Sequence, residues 1–154
     1  MPSSNKPTSH RKTIAVFASQ VGRAWGTDFI AGVNDAAEEW GVNLVHFIGG
    51  RLARVVTPNQ DKPSYGLYDL AKPDQFDGLL LTSDVAHGTN PEELKGFADL
   101  FKGVPVVTQS VEIDGASIFI PDNLEGMRAA VRHLIEEHGY KRIAFIRGIE
   151  GQLD

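Results

Sequence analysis

The sequence predicts an α/β fold, a doubly wound and mainly parallel sheet flanked by helices, on three observations. From Thr13 onward, short β-rich apolar runs alternate with stretches of helical periodicity, the pattern of βαβ units. The run Asp77-Gly-Leu-Leu-Leu-Thr82 is almost wholly apolar, as suits a central parallel strand buried on both faces. Gly41, Gly103 and Gly139 each close a helical stretch, where a left-handed residue ends a helix readily.

Thr13 to Ala18 is the first strand. Phe29, Val33, Ala36, Ala37 and Trp40 then recur at helical spacing, with Asp28, Asp35, Glu38 and Glu39 mainly opposite, an amphipathic helix. Asn43 to Ile48 is the second strand and runs into Gly49 and Gly50. Residues 51–63 lack any period, a loop of about a dozen residues, and Ser64 is placed to cap a short helix through Leu70 that Pro73 closes. After the third strand, Asp77 to Thr82, Asn90 as N-cap, Pro91 and Glu93 mark a helix start, and Leu94, Phe97, Ala98 and Phe101 form its stripe. Val104 to Thr108 is a strand with a proline near its start, and Ser117 to Ile120 is another. Asp122 and Glu125 then offer a capping box for a helix over 124–138 with Met127, Ala130, Val131, Leu134 and Ile135 on one face, and a sixth strand is expected over 142–147.

With 154 residues, 42% hydrophobic and 23% charged, the chain suits one compact domain with its own core. Zero cysteines exclude thiolate metal sites, thiol nucleophiles and disulfides. No apolar run approaches the ~18 residues of a membrane span, and residues 1–12 form a polar leader, expected to be disordered and unlike a secretory signal. A cytoplasmic location is the default expectation. The leader holds Lys6, Arg11 and Lys12 and no acid, so the other twelve bases face twenty acids, a balance of −8. Such a body lacks the basic patch that a nucleic-acid footprint needs.

In a doubly wound sheet, ligands sit outside the carboxyl ends of the strands, where strand order reverses. That rule selects Ser19, Gln20, Arg23 and Trp25 after the first strand, Arg51 after the second, Ser83 and Asp84 after the third, Gln109 after the fourth, and Asp122 and Asn123 after the fifth. Each has a plainer reading. Asp122 caps a helix, Trp25 packs on the surface, Arg23 and Arg51 are solvated, and Ser83, Asp84 and Gln109 hydrogen-bond their own loops. Chemistry beyond binding finds little support, because G-x-G-x-x-G, G-x-x-x-x-G-K-[ST] and G-x-S-x-G are all missing. A receiver-type phosphorylation site lacks its paired carboxylates after Ala18, and no histidine pair has a third metal ligand. His133 and His138, five apart, are not expected to share a helix face. Flavodoxin-like FMN binding through residues 19–27 is a lesser alternative.

The run Ile118-Phe-Ile-Pro-Asp-Asn-Leu-Glu-Gly126, with Ala130, His133-Leu-Ile135 and His138-Gly-Tyr-Lys-Arg-Ile-Ala-Phe-Ile-Arg-Gly148, closely resembles the LacI/GalR type of periplasmic-binding-protein-like sensor domain. Phe47-Ile-Gly-Gly50 and Tyr68-Asp-Leu70 look like the variants found ahead of GGDEF or histidine-kinase modules. The resemblance implies a first lobe over 13–120, then a hinge and the start of a second lobe over 121–154. It also implies a non-catalytic small-ligand-sensing module of a bacterial transcription regulator or signalling protein, truncated and without a DNA-binding head. The expected ligand is small and polar, sugar- or nucleoside-like, with no cofactor, no metal and no membrane or nucleic-acid partner. A homodimer is expected; the C-terminal helix and strand either fold back onto the sheet as an extra βα crossover or are exchanged between two chains, and the alternative function is a half-domain that assembles with itself by that exchange.

Overall fold

The computed structural model describes residues 11–22, 24–52 and 66–146, with only the backbone of residues 24 and 25. Five strands form one sheet in the order β2-β1-β3-β4-β5: β1 (Thr13–Ala18), β2 (Asn43–Ile48), β3 (Gly78–Leu81), β4 (Val106–Gln109) and β5 (Ser117–Phe119). Every neighbouring pair is parallel. The predicted α/β class therefore holds. Four α-helices accompany the sheet, α1 (Ala24–Trp40), α2 (Ser83–Ala86), α3 (Pro91–Asp99) and α4 (Asn123–Glu136), and 3-10 turns cover Gly66–Leu70 and Pro73–Gln75.

Side-chain alternation along the strands splits the interior into two layers. On one face Phe17, wholly buried, meets the rings of Phe47, Tyr68, Phe97 and Phe101 with centroids 5.2, 4.9, 5.7 and 5.4 Å away. Ala15, Leu79, Leu81, Val85 and Leu94 complete this core, which α3 and the 3-10 turn of Tyr68 cover. On the other face Val16 is also wholly buried, and α1 lies there: its Asn34 Oδ1 is 3.0 Å from His46 Nε2, and its Phe29 stacks on Phe119 of β5 at 6.2 Å. At the amino edge Asp77 accepts from Lys12 Nζ at 2.6 Å and from the Thr13 amide at 2.9 Å, joining the starts of β1 and β3.

The helix starts follow the sequence closely. Asn90 Oδ1 and Asp122 Oδ1 each accept from the amide three residues on, at 2.9 Å, satisfying a donor that the first turn cannot. Elsewhere the structure corrects the reading. Residues 142–146 pair with no strand, because α4 carries the chain away from the sheet and the described residues offer no neighbour there; residue 147 lies outside them. Among the described residues the expected six strands are thus five. The predicted helix over 64–70 is a 3-10 turn that begins at Gly66, with Ser64 outside the described residues. The loop after β3 contains the single helical turn α2. β4 begins only after Pro105, which has no amide hydrogen for the ladder.

The expectation for His133 of α4 and His138, two residues past its end, is also corrected. Gly139, at φ +66°, reverses the chain, and the amides of Gly139 and Tyr140 return to Ile135 and Leu134 carbonyls, both at 3.1 Å. In the turn that precedes this glycine, His138 Nε2 lies 3.1 Å from Nε2 of His133. Five residues apart on a continuous helix they would diverge; His138 lies in the turn beyond the end of α4 at Glu136, and there the two rings meet.

Candidate functional site

The strand order places β2 and β3 on either side of β1, and α1 and α3 cover opposite faces. The carboxyl ends of β1 and β3 therefore flank the point where the winding reverses, the place where such sheets open a crevice. Ser19 and Asp84 meet there. Asp84 Oδ2 accepts from the Ser19 hydroxyl at 2.5 Å and from the Ser19 amide at 3.3 Å, while Oδ1 accepts from the Thr82 hydroxyl. Thr82 Oγ1 also lies 3.0 Å from the Phe17 carbonyl. One carboxylate thus collects three donors from two strand ends.

A second link joins β3 to β4. The amide of Ser83 donates to Gln109 Oε1 at 3.0 Å, and Gln109 Nε2 donates to Ser110 Oγ at 3.0 Å. Ser110 is the one non-glycine with positive φ among the described residues, at 56°. Such a conformation costs about 1 kcal/mol or more, and here the bond from the Ser110 amide to the Phe119 carbonyl at 3.0 Å holds it.

A third link is aromatic. The Tyr68 hydroxyl lies 2.6 Å from the Gly50 carbonyl and 3.0 Å from that of Ala18, pinning the ends of β1 and β2 together. Burial pushes this phenol well above its ordinary range, with the Asp84 carboxylate adding to the rise and a backbone hydrogen bond at Gly49 opposing it. It stays a neutral donor. The Tyr68 ring also explains the first glycine of the pair, since a Cβ on Gly49 would sit 2.8 Å from Cζ of that ring.

Of the residues singled out in the sequence, the structure brings together Ser19, Ser83, Asp84 and Gln109. Gln20 and Arg51 are exposed on the same carboxyl side. Asp122 and Asn123 begin α4; Asp122 acts as its cap and shares no hydrogen bond with the cluster. Arg23 and the side chain of Trp25 lie outside the described residues. Thr82, Ser110 and Tyr68 belong to the site and were not singled out. Position gave some signal for the first two, as each adjoins a selected strand-end residue. Nothing local marks Tyr68, whose role depends on a contact 50 residues away in the chain. Among the described residues no cluster of three metal-ligating side chains occurs, and no helix is long and apolar enough to cross a membrane.

No family model matches the chain, and no curated protein matches it. Two solved structures do. A mutant XylFII–LytSN complex is 19% identical with a TM-score of 0.55, over 84% of this chain and 44% of that one. XylFII itself is 18% identical with a TM-score of 0.51, over 84% and 45%. The fold is periplasmic-binding-protein-like. The chain spans less than half the length of either neighbour, and identities this low speak for the fold alone.

Proposed function

We propose that this chain is the first lobe of a non-catalytic module that binds a small polar ligand, within a LacI-like regulator or a signalling protein of the cytoplasm. The observation that carries the reading is the meeting of Ser19 and Asp84 at the switch point between β1 and β3. With Gln109 and Ser110 alongside, that rim offers hydroxyl, carboxylate and amide groups, the groups that satisfy the hydroxyls of a sugar or nucleoside. XylFII, whose fold this lobe shares, is found in one structure in complex with LytSN, which accords with a module that has a protein partner. In this reading a second lobe beyond the hinge at Asp122 supplies the other wall of the cleft, and closure of the two lobes on the ligand is the signal. The carboxylate of Asp84 is already committed to Ser19 and Thr82, which favours a positioning role over general-base chemistry.

Nuclear magnetic resonance titration of the 154-residue chain with a panel of monosaccharides and nucleosides tests this. One wall binds weakly, so the expected result is millimolar binding, with amide shifts confined to residues 19–20, 82–84 and 109–110. Micromolar binding in calorimetry would overturn the one-wall reading, and shifts elsewhere or none at all would overturn the site.

A further inference from the structure

We propose that His133 and His138 form a chelating site for one divalent transition-metal ion at the end of α4, with copper(II) preferred over nickel(II) and zinc(II). The inference is independent of the ligand reading and uses none of the residues at the switch point. The two Nε2 atoms lie 3.1 Å apart, with ring centroids 4.8 Å apart and ring planes at 84°. Both side chains are exposed. The sequence kept these rings on different faces of a helix, and the structure brings them together.

The spacing suits a shared ion. An imidazole nitrogen binds zinc at about 2.0–2.1 Å, and two such arms meeting at one ion hold their nitrogens about 2.9 Å apart at a right angle and about 3.3 Å apart at the tetrahedral angle. The 3.1 Å of this pair falls between the two, so an ion enters by rotation of the rings. As the pair stands, one ring donates its Nε2–H to the other ring's Nε2. A neutral imidazole carries its hydrogen on either nitrogen, so the donor ring takes the Nδ1–H tautomer when the ion binds and no net proton is released. The turn holds both rings for this. The Glu137 amide donates to the His133 carbonyl at 3.0 Å, and the amides of Gly139 and Tyr140 return to the carbonyls of Ile135 and Leu134. The Tyr140 ring stacks on His138 with centroids 5.4 Å apart and planes at 13°. Arms that are already placed lose less freedom on binding.

Ligand type selects the ion. Two neutral imidazole nitrogens suit copper, nickel and zinc, whereas calcium and magnesium take oxygen. Among the described residues no group of three metal-ligating side chains occurs, so the pair supplies two donors and water supplies the rest. Such a site imposes no tetrahedron, and the intrinsic order of affinities then puts copper(II) above nickel(II) and zinc(II). Glu136 and Glu137, both exposed, stand three and four residues beyond His133, neighbours on its side of the helix, and their charge draws a cation toward it. At about 100° per residue, His133 lies on the side of α4 away from the apolar stripe of Leu124, Met127, Val131, Leu134 and Ile135. Whatever covers that stripe therefore lies across the helix from the site.

The test uses the whole chain, which is free of cysteine, and copper(II) ions alone in a buffer that does not chelate. At substoichiometric copper(II), paramagnetic broadening is expected to remove the amide signals of residues 132–140 before those beside His10, His46 and His87. Calorimetry is expected to show nickel(II) and zinc(II) binding the same site more weakly. His133→Ala and His138→Ala are each expected to weaken copper(II) binding about tenfold or more, with circular dichroism unchanged because neither ring is buried. The double variant is expected to lose little beyond either single one, since two arms acting on one ion are not additive. Broadening centred on another histidine overturns the proposal. So does binding that either single variant leaves intact, so do losses that simply add in the double variant, and so does the absence of binding.

Discussion

Phe17 and Phe145 are the same side chain in two halves of the molecule, one wholly buried and the other 69% exposed. Around Phe17, β2, the Tyr68 turn, α3 and the turn that follows α3 supply four aromatic neighbours. Around Phe145 the chain has left the sheet. Both segments are equally apolar in sequence, so the difference lies in partners: an apolar stripe states that something must be covered, and only topology states by what. Truncation measures the contrast. Phe17→Ala is expected to cost about 3–5 kcal/mol, the removal of a ring from a packed core, and Phe145→Ala less than about 0.5 kcal/mol. Urea unfolding of the two variants reads both. Equal losses would mean that the C-terminal segment is as packed as the core.

This contrast also explains how much was legible. The strands and their order of appearance follow from apolar runs bounded by turn residues, and the caps Asn90 and Asp122 from residue type and spacing, because all of these are local. Ser19 and Asp84 were placed on the same rim by a rule about parallel sheets, which needs only the strand ends. The strand expected over 142–147 is not formed over its described residues 142–146, because a strand exists only beside another strand and its partner is not local. Tyr68 was missed for the same reason, since its hydroxyl serves carbonyls of Ala18 and Gly50 across the fold. His133 and His138 are kept apart by a helical rule that no longer applies beyond Glu136, where α4 ends.

The two helix caps sharpen the comparison at a smaller scale. Asn90 and Asp122 make the same bond at the same length, 2.9 Å, and removing either to alanine costs its helix about 1 kcal/mol. α3 buries Leu94 and Phe97 in the core, whereas no residue of α4 is fully buried. Asn90→Ala is therefore expected to lower the urea midpoint of the whole lobe. Asp122→Ala is expected to leave that midpoint in place at concentrations where the chain is monomeric, and to speed amide exchange over residues 123–136. A global shift from Asp122→Ala would show α4 coupled to the core.

The smallest effect sits on the packed side, at His46. Desolvation holds its pKa below the ordinary 6.5, since Nδ1 is buried without a hydrogen-bond partner while Nε2 faces Asn34. The folded state therefore prefers the neutral ring. Above pH 6.5 both folded and unfolded chains carry it neutral, and its contribution does not change with pH. As pH falls below 6.5 the unfolded chain takes up the proton first, so stability drops until the lowered folded value is passed. Carboxylates titrate near 4, which leaves the interval just below 6.5 to histidine. His46→Gln keeps a polar group of similar reach and removes the titration. The stability difference between the native sequence and this variant is expected to shrink as pH falls from 7 toward 5, with every group the two chains share cancelling. A difference that stays constant would mean the ring exchanges protons as freely folded as unfolded, and that α1 does not seal this face of β2.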